Sequence, residues 1–361
     1  MERTLDRLYL DHAATTPMTD AAKAAVIEGM ARWANPSSPH AEGRAARAAL
    51  EAARAAIGAA YGWRGEVLLT SGASESLAIA LGRGVAARRL VSAVEHDAAM
   101  RAAGAAEMVP VGADGVVDLG VLPSLLGQSK RALIAVQWCN SETGVLQPVA
   151  AVAAVVHEAG GLLLVDAAQM PAGVDDAVAE HADFVALSAH KRGGPAGVGT
   201  LLVRDLATLT PTGGQERGYR PGTENLPGVL GYAAALREAE PIERWTAMRA
   251  RLDDAVRRSG GEVVADASLR HPAIASYRLP GVAAAAQLIR FDLAGIAVSA
   301  GSACSSGSMK PSHVLGAMGW SETAGREVVR VSFGRDTREQ DVTRFITAWR
   351  DVARATRTFA A

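Results

Sequence analysis

The chain has 361 residues, 49% of them hydrophobic, and a formal net charge of −1. That length exceeds what one core usually serves, so two subdomains are expected, and the interspersed charges argue against a direct nucleic-acid or anionic-membrane surface. With no apolar run of about 18 residues and no signal-peptide pattern in Met1 to Arg7, a cytoplasmic protein without membrane contact is expected. The two cysteines, Cys139 and Cys304, form no CxxC motif and have no zinc-type His/Cys spacing, so neither a metal nor a structural disulfide is expected.

In chain order, the periodicity predicts a helix over 41–60, a strand at Glu66–Thr70, a helix over 74–87 and a strand at Arg89–Ala93. Further strands follow at Ala132–Trp138, Leu162–Asp166, Phe184–Ser188 and Gly199–Val203, with a helix over 149–159 among them. Short apolar runs alternating with Ala-rich helices predict an α/β domain with a mainly parallel sheet. From about residue 228 one long helical stretch is predicted to run to Arg258. Strands near 262–265, 273–278 and 296–299 and a final helix over 338–357 then read as a smaller α+β domain. The domains are set at 14–243 for the large one and at 1–13 with 244–361 for the small one.

Several predicted strands end in residues suited to chemistry. Glu66–Thr70 runs into Ser71-Gly72-Ala73-Ser74-Glu75 at a helix start, where backbone N–H groups of Gly72 and Ala73 and the Ser74 hydroxyl suit a phosphate. A capping box would look similar. His96 follows a strand and is placed to stack on a planar cofactor; a plain loop histidine is the alternative. Asn140 follows the strand ending at Trp138. Asp166 ends a buried strand, where a carboxylate needs a cation or donors, either a pyridinium N–H or a helix start it caps. Lys191 ends the string Ser188-Ala189-His190-Lys191. Of 37 Lys and Arg residues only four are lysines, namely Lys23, Lys130, Lys191 and Lys310. A lysine retained against so strong a preference for arginine points to Schiff-base chemistry, which guanidinium cannot perform. An amine, a carboxylate, a phosphate cradle and a histidine at the ends of different strands are what pyridoxal 5'-phosphate requires.

Over nearly its whole length the sequence resembles the cysteine desulfurases of the class V aminotransferase group, enzymes of fold type I. The matching strings include Tyr9-Leu10-Asp11-His12-Ala13-Ala14-Thr15-Thr16-Pro17, Asn35-Pro36-Ser37-Ser38-Pro39-His40, Asn140-Ser141-Glu142-Thr143-Gly144, Asp166-Ala167-Ala168-Gln169, Arg220-Pro221-Gly222-Thr223-Glu224-Asn225 and Gly301-Ser302-Ala303-Cys304-Ser305-Ser306-Gly307. The resemblance implies a seven-stranded-type sheet and pyridoxal phosphate bound covalently by Lys191. It implies that Asp166 pairs with the ring nitrogen, Gln169 bonds the ring hydroxyl and His96 stacks on the ring. Gly72, Ala73, Ser74, Ser188 and His190 would hold the phosphate. Thr223 would reach the phosphate of a second subunit, which implies a homodimer. Asn35, Asn140 and Arg330 would receive the substrate carboxylate, and Asn140 would also border the cofactor. Arg330 interrupts the apolar run Val328 to Val331, so it needs an anionic partner.

Departures are few. Gly193 and Ala196 stand where the family often has an aromatic residue and a second lysine, and Ser141 replaces a second asparagine. The end at Ala361 is shorter than in members with a C-terminal extension that docks an iron–sulfur scaffold. Cys304 lies in a small, polar, glycine-rich segment that gives a thiol access and freedom. The reaction implied is conversion of L-cysteine to L-alanine, with sulfur received by Cys304 as a persulfide and delivered to an acceptor protein in iron–sulfur cluster assembly or in cofactor or nucleic-acid sulfuration. A selenocysteine lyase, or another class V aminotransferase or β-lyase, is the alternative.

Overall fold

The computed structural model describes residues 7–32, 34–127, 130–301 and 311–357. After a two-residue strand β1 (Leu8–Tyr9), seven strands form the central sheet: β2 (Glu66–Thr70), β3 (Arg88–Ser92), β4 (Glu107–Val109), β5 (Ala132–Gln137), β6 (Leu162–Asp166), β7 (Phe184–Ser188) and β8 (Gly199–Val203). Their order across the sheet is β2-β8-β7-β6-β5-β3-β4. Every residue of β5 to β8 is buried, which is why these strands read as unbroken apolar runs rather than alternating ones.

β3 to β7 run parallel, and β8 is antiparallel to both of its neighbours, β7 and β2. β2 therefore points the same way as β7. The carboxyl ends of β2, β3, β5, β6 and β7 gather on one edge of the sheet, and β8 starts there. That edge is where an open α/β sheet binds its ligands.

The strands expected for the central sheet are present to within a residue, with β4 as an addition. Three differences have local causes. The helix expected over 74–87 is Ala73–Arg83, because Gly84 turns to an extended conformation (φ −60, ψ 138). A helix over Asp97–Ala103, capped by the His96 ring, was not expected. The single helix expected from 228 to 258 is two, Leu226–Ala235 and Ile242–Arg258. Pro241 enforces that break, since it has no N–H to continue the ladder.

The remaining strands are β9 (Glu262–Val263), β10 (Ile274–Arg278), β11 (Ile296–Ala297) and β12 (Val328–Ser332). β12, β10 and β9 form an antiparallel sheet in that order, whereas β11 pairs in parallel with β1. The N-terminal segment continues beside β12, where Asp11 bridges Ser332. Phe291 from the helix Ala284–Leu293 stacks on Phe345 of the final helix Glu339–Arg357 at 5.1 Å. One hydrophobic core holds side chains from both parts, from Ile134 and Val165 to Tyr277 and Trp349. Among the described residues no helix is long and apolar enough to cross a membrane.

Candidate active site

A cavity of about 350 Å³ opens at the carboxyl edge of the central sheet. Its wall includes Gly72, Ala73, Ser74, His96, Asp166, Gln169, Ser188, His190 and Lys191, which brings together residues from the ends of four strands. Each is placed by the element before it.

At the end of β2, Gly72 caps the helix Ala73–Arg83 with no side-chain hydrogen bond, so the first N–H groups of that helix are left to the cavity. Gly72 takes φ 152, and a Cβ on its neighbour Gly199 would sit 2.5 Å from the Gly72 Cα. Two glycines in contact therefore bring this turn down onto β8 and shape the cradle. Glu75 is tied by Arg220 Nε at 2.9 Å and by the Ser71 N–H, which holds its charge at the rim.

At the end of β3, His96 Nδ1 accepts from the Ala98 N–H at 3.1 Å. A neutral ring so held keeps its proton on Nε2, away from its own backbone. Beside it Glu95 is fully buried, and its Oε1 accepts from the Gln137 N–H at 2.5 Å. Burial, and then the charge of Asp166, push the Glu95 carboxyl well above the ordinary glutamate value.

Asp166 ends β6 opposite Gln137 and is 7% exposed. Its Oδ1 accepts from the Ala168 N–H at 3.0 Å. After β7, one turn of 3-10 helix (Ala189–Lys191) carries Lys191 to the wall, where Nζ donates to the Ala13 carbonyl at 2.9 Å. Gln169 Nε2 donates to the same carbonyl at 2.9 Å. His190 Nδ1 meets Thr15 Oγ1 at 3.0 Å. Burial, then Lys191 and Arg192, push His190 down to about 4, so it is neutral at physiological pH.

Other residues singled out in the sequence lie off this wall. Asn140 is buried and holds its own loop: Nδ2 donates to Val94 O at 3.0 Å, and Oδ1 accepts from the Glu142 and Thr143 N–H groups. Arg330 finds an anionic partner within the chain, donating to Asp11 Oδ1 at 2.7 Å and to the Ser141 carbonyl at 2.9 Å. Ser141, unlike Arg330, reaches the cavity wall. Asn35 and Thr223 sit together in a separate surface pocket with Met30 and Glu224. Cys304 lies outside the described residues.

Gln137, Glu95 and the Ala13 carbonyl join the site without having been expected from sequence. Glu95 and Gln137 carried a signal, being polar residues at the end of apolar runs. Ala13 carried none of its own, because the atom that matters is backbone.

Residues 8–345 match the family model for class-V aminotransferases. A cysteine desulfurase from Gluconacetobacter diazotrophicus is 35% identical, over 95% of this chain and 92% of its own length. An IscS-like cysteine desulfurase from Mycobacterium tuberculosis is 36% identical, over 92% of this chain and 93% of its own. Among solved structures, a NifS-like protein from Rickettsia africae superposes with a TM-score of 0.86 at 29% identity, covering 96% of this chain and 99% of that one. SspA, solved in complex with cysteine, superposes with a TM-score of 0.78 at 26% identity, covering 91% and 99%. The chain is a member of the cysteine desulfurase family of class-V aminotransferases, with the fold type I architecture of that family.

Proposed function

We propose that this protein is a pyridoxal phosphate-dependent cysteine desulfurase of the cytoplasm. It would convert L-cysteine to L-alanine and pass the sulfur through Cys304 to an acceptor protein in iron–sulfur cluster assembly or in a thiolation pathway. The carrying observation is the shared wall on which Lys191, Asp166, His96 and the uncapped helix start at Gly72–Ser74 meet. The solved SspA complex with cysteine supports the substrate class.

The donor set fits the cofactor. The N–H groups of Gly72 and Ala73 would hold its phosphate with the Ser74 and Ser188 hydroxyls, and His190, neutral by burial, adds a ring nitrogen to the same wall. Asp166 would hold the ring nitrogen, and Gln169, whose Oε1 is buried without a partner among the described residues, would meet the ring hydroxyl. When bound, the cofactor supplies an electron sink for the substrate Cα.

Lys191 would anchor the cofactor and, once displaced by the substrate amine, take the proton from Cα and return one to the carbon skeleton. His96 would stack on the ring and, through Nε2, move protons at the substrate. Cys304 would attack the substrate sulfur: an S–S bond forms, the Cβ–S bond breaks, and its electron pair stays with the carbon that becomes the alanine methyl group. Enzyme thiol plus L-cysteine gives enzyme persulfide plus L-alanine, with no external oxidant. Arg330, with Asn35 and Asn140, would receive the substrate carboxylate. In this reading residues 14–243 bind the cofactor, and residues 1–13 with 244–361 carry the Cys304 segment and Arg330.

The test is the purified enzyme with L-cysteine. Wild type should be yellow and form alanine in equal amount to the sulfur released by reductant. Lys191→Ala should lose turnover. Cys304→Ala should keep the cofactor spectrum but lose nearly all alanine formation. Alanine production by Cys304→Ala at the wild-type rate would replace this reading with a β-lyase or aminotransferase.

Asn35 and Thr223 adjoin each other on the surface and not in their own cavity, which supports a two-fold dimer in which each chain completes its partner's site. A mixed dimer of Lys191→Ala and Thr223→Val chains should regain one intact site. Activity no higher than the sum of the two parents would rule out a shared site.

A further inference from the structure

Lys191 and Gln169 also line a second, much smaller cavity of about 20 Å³, so these two side chains form the partition between it and the large one. Its other walls come from distant segments, with His12 from the N-terminus, Arg192 from the turn after β7, and Trp245 and His271 from the second part of the chain. Four polar atoms of these walls are buried without a hydrogen-bond partner among the described residues: Gln169 Oε1, His12 Nδ1, His271 Nε2 and Arg192 Nε. A buried polar atom left unpaired costs about 1–3 kcal/mol, so four around one cavity call for a common partner.

Their hydrogen-bonding roles follow from the contacts each side chain already makes. His271 Nδ1 accepts from the Ala273 N–H at 3.2 Å, which puts the proton of a neutral ring on Nε2. The ring is neutral, since burial, then Arg192 and Arg249, push His271 down to about 3. Arg192 spends Nη1 on Glu240 at 2.9 and 3.0 Å and keeps Nε–H as a donor. Gln169 gives Nε2 to the Ala13 carbonyl, which leaves Oε1 as an acceptor. His12 is likewise pushed down by burial, to about 4, so its ring is neutral, and in the Nε2–H tautomer its unpartnered Nδ1 is an acceptor.

Two donors and two acceptors are the complement of one water molecule. A cation would need acceptors on all sides and an anion donors on all sides. The volume agrees, because about 10–15 Å³ of such space admits one water. We propose that this cavity is a binding site for a single internal water, which accepts from His271 Nε2–H and Arg192 Nε–H and donates to Gln169 Oε1 and His12 Nδ1. The water links four separate segments of the chain behind Lys191. It fixes the Gln169 amide, whose other end holds the carbonyl that also receives Lys191 Nζ. Gln169 Oε1 has a second lone pair, so the site does not compete with a ligand in the large cavity. It stands whether or not the proposed reaction is right.

A high-resolution crystal structure of the wild-type enzyme should show one spherical density peak within about 2.7–3.2 Å of the four atoms. Oxygen-17 relaxation dispersion in solution should count one fewer long-lived internal water in His271→Phe than in wild type. That substitution keeps an aromatic ring against Trp138 and Trp245 while deleting a donor and filling space. A dry cavity in the wild-type density, direct pairing of the four atoms with one another, or an unchanged water count in His271→Phe would overturn the proposal. The wild-type density needs no variant, so a misfolded His271→Phe leaves the proposal testable.

Discussion

Arg330 and Glu95 are two charge-bearing side chains inside the fold, and each is neutralised differently. Arg330 is 7% exposed, and its charge is met by Asp11, some 300 residues away in sequence, so the demand for an anion was legible but the identity of that anion was not. Glu95 has no cation beside it among the described residues, and burial with the charge of Asp166 favours its protonated form. A raised carboxyl pKa in the folded state means that stability is fully present below the unfolded value of 4.5 and is lost as pH rises toward the folded one. Glu95→Gln keeps an oxygen for the Gln137 N–H and removes the ionisable proton. The variant should match wild type in urea midpoint near pH 4 and exceed it increasingly as pH rises above 4.5. A constant difference across that range would show that Glu95 does not titrate in the native state.

At the scale of elements, legibility followed burial. β5 to β8 are covered on both faces and stood out as apolar runs, whereas β4 is a three-residue strand with Met108 exposed and left no pattern. Helix ends were lost where backbone conformation, not side-chain pattern, decides them, as at Gly84 and Pro241. The turn after β2 was read as a phosphate cradle from its small residues, but what sets it in place is β8. A Cβ at Gly199 would meet Gly72 Cα and Leu187 O at 2.5 Å, and both are backbone atoms that cannot swing aside. Gly199→Ala should therefore cost about 1–3 kcal/mol by overpacking and push the Gly72 turn outward. Denaturant titration checks the first effect. A weakened affinity of the apoprotein for added pyridoxal phosphate, with Lys191 intact, checks the second. A variant equal to wild type in both would mean that the turn moves freely on β8.

Across the whole molecule, the N-terminal segment was the least legible part, although it touches the site at several points. Asp11 holds Arg330, the Ala13 carbonyl receives Lys191 and Gln169, and Thr15 meets His190. Most of these contacts run through backbone or short polar side chains and leave no periodicity to read. The same assembly packs around three histidines, His12, His190 and His271, drawn from three separate stretches of the chain, of which His271 is buried and the other two partly so. In each, burial lowers the folded pKa below the ordinary 6.5, so stability is present above that value and is lost as pH falls toward the folded one. At pH 5 the unfolded chain binds these protons and the native one does not, so unfolding takes up protons and acid destabilises the fold. Each fully linked histidine adds about 1.4 kcal/mol per pH unit to that slope. His271 is the most deeply buried of the three, with a folded value of about 3, and should contribute the full amount between roughly pH 4 and 6. The pH dependence of unfolding free energy, measured over that range for wild type and His271→Phe, should differ in slope by about this figure, with the variant flatter. Parallel curves would show that His271 is protonated in the native state, in which case Nδ1 would be a donor and could not accept from the Ala273 N–H.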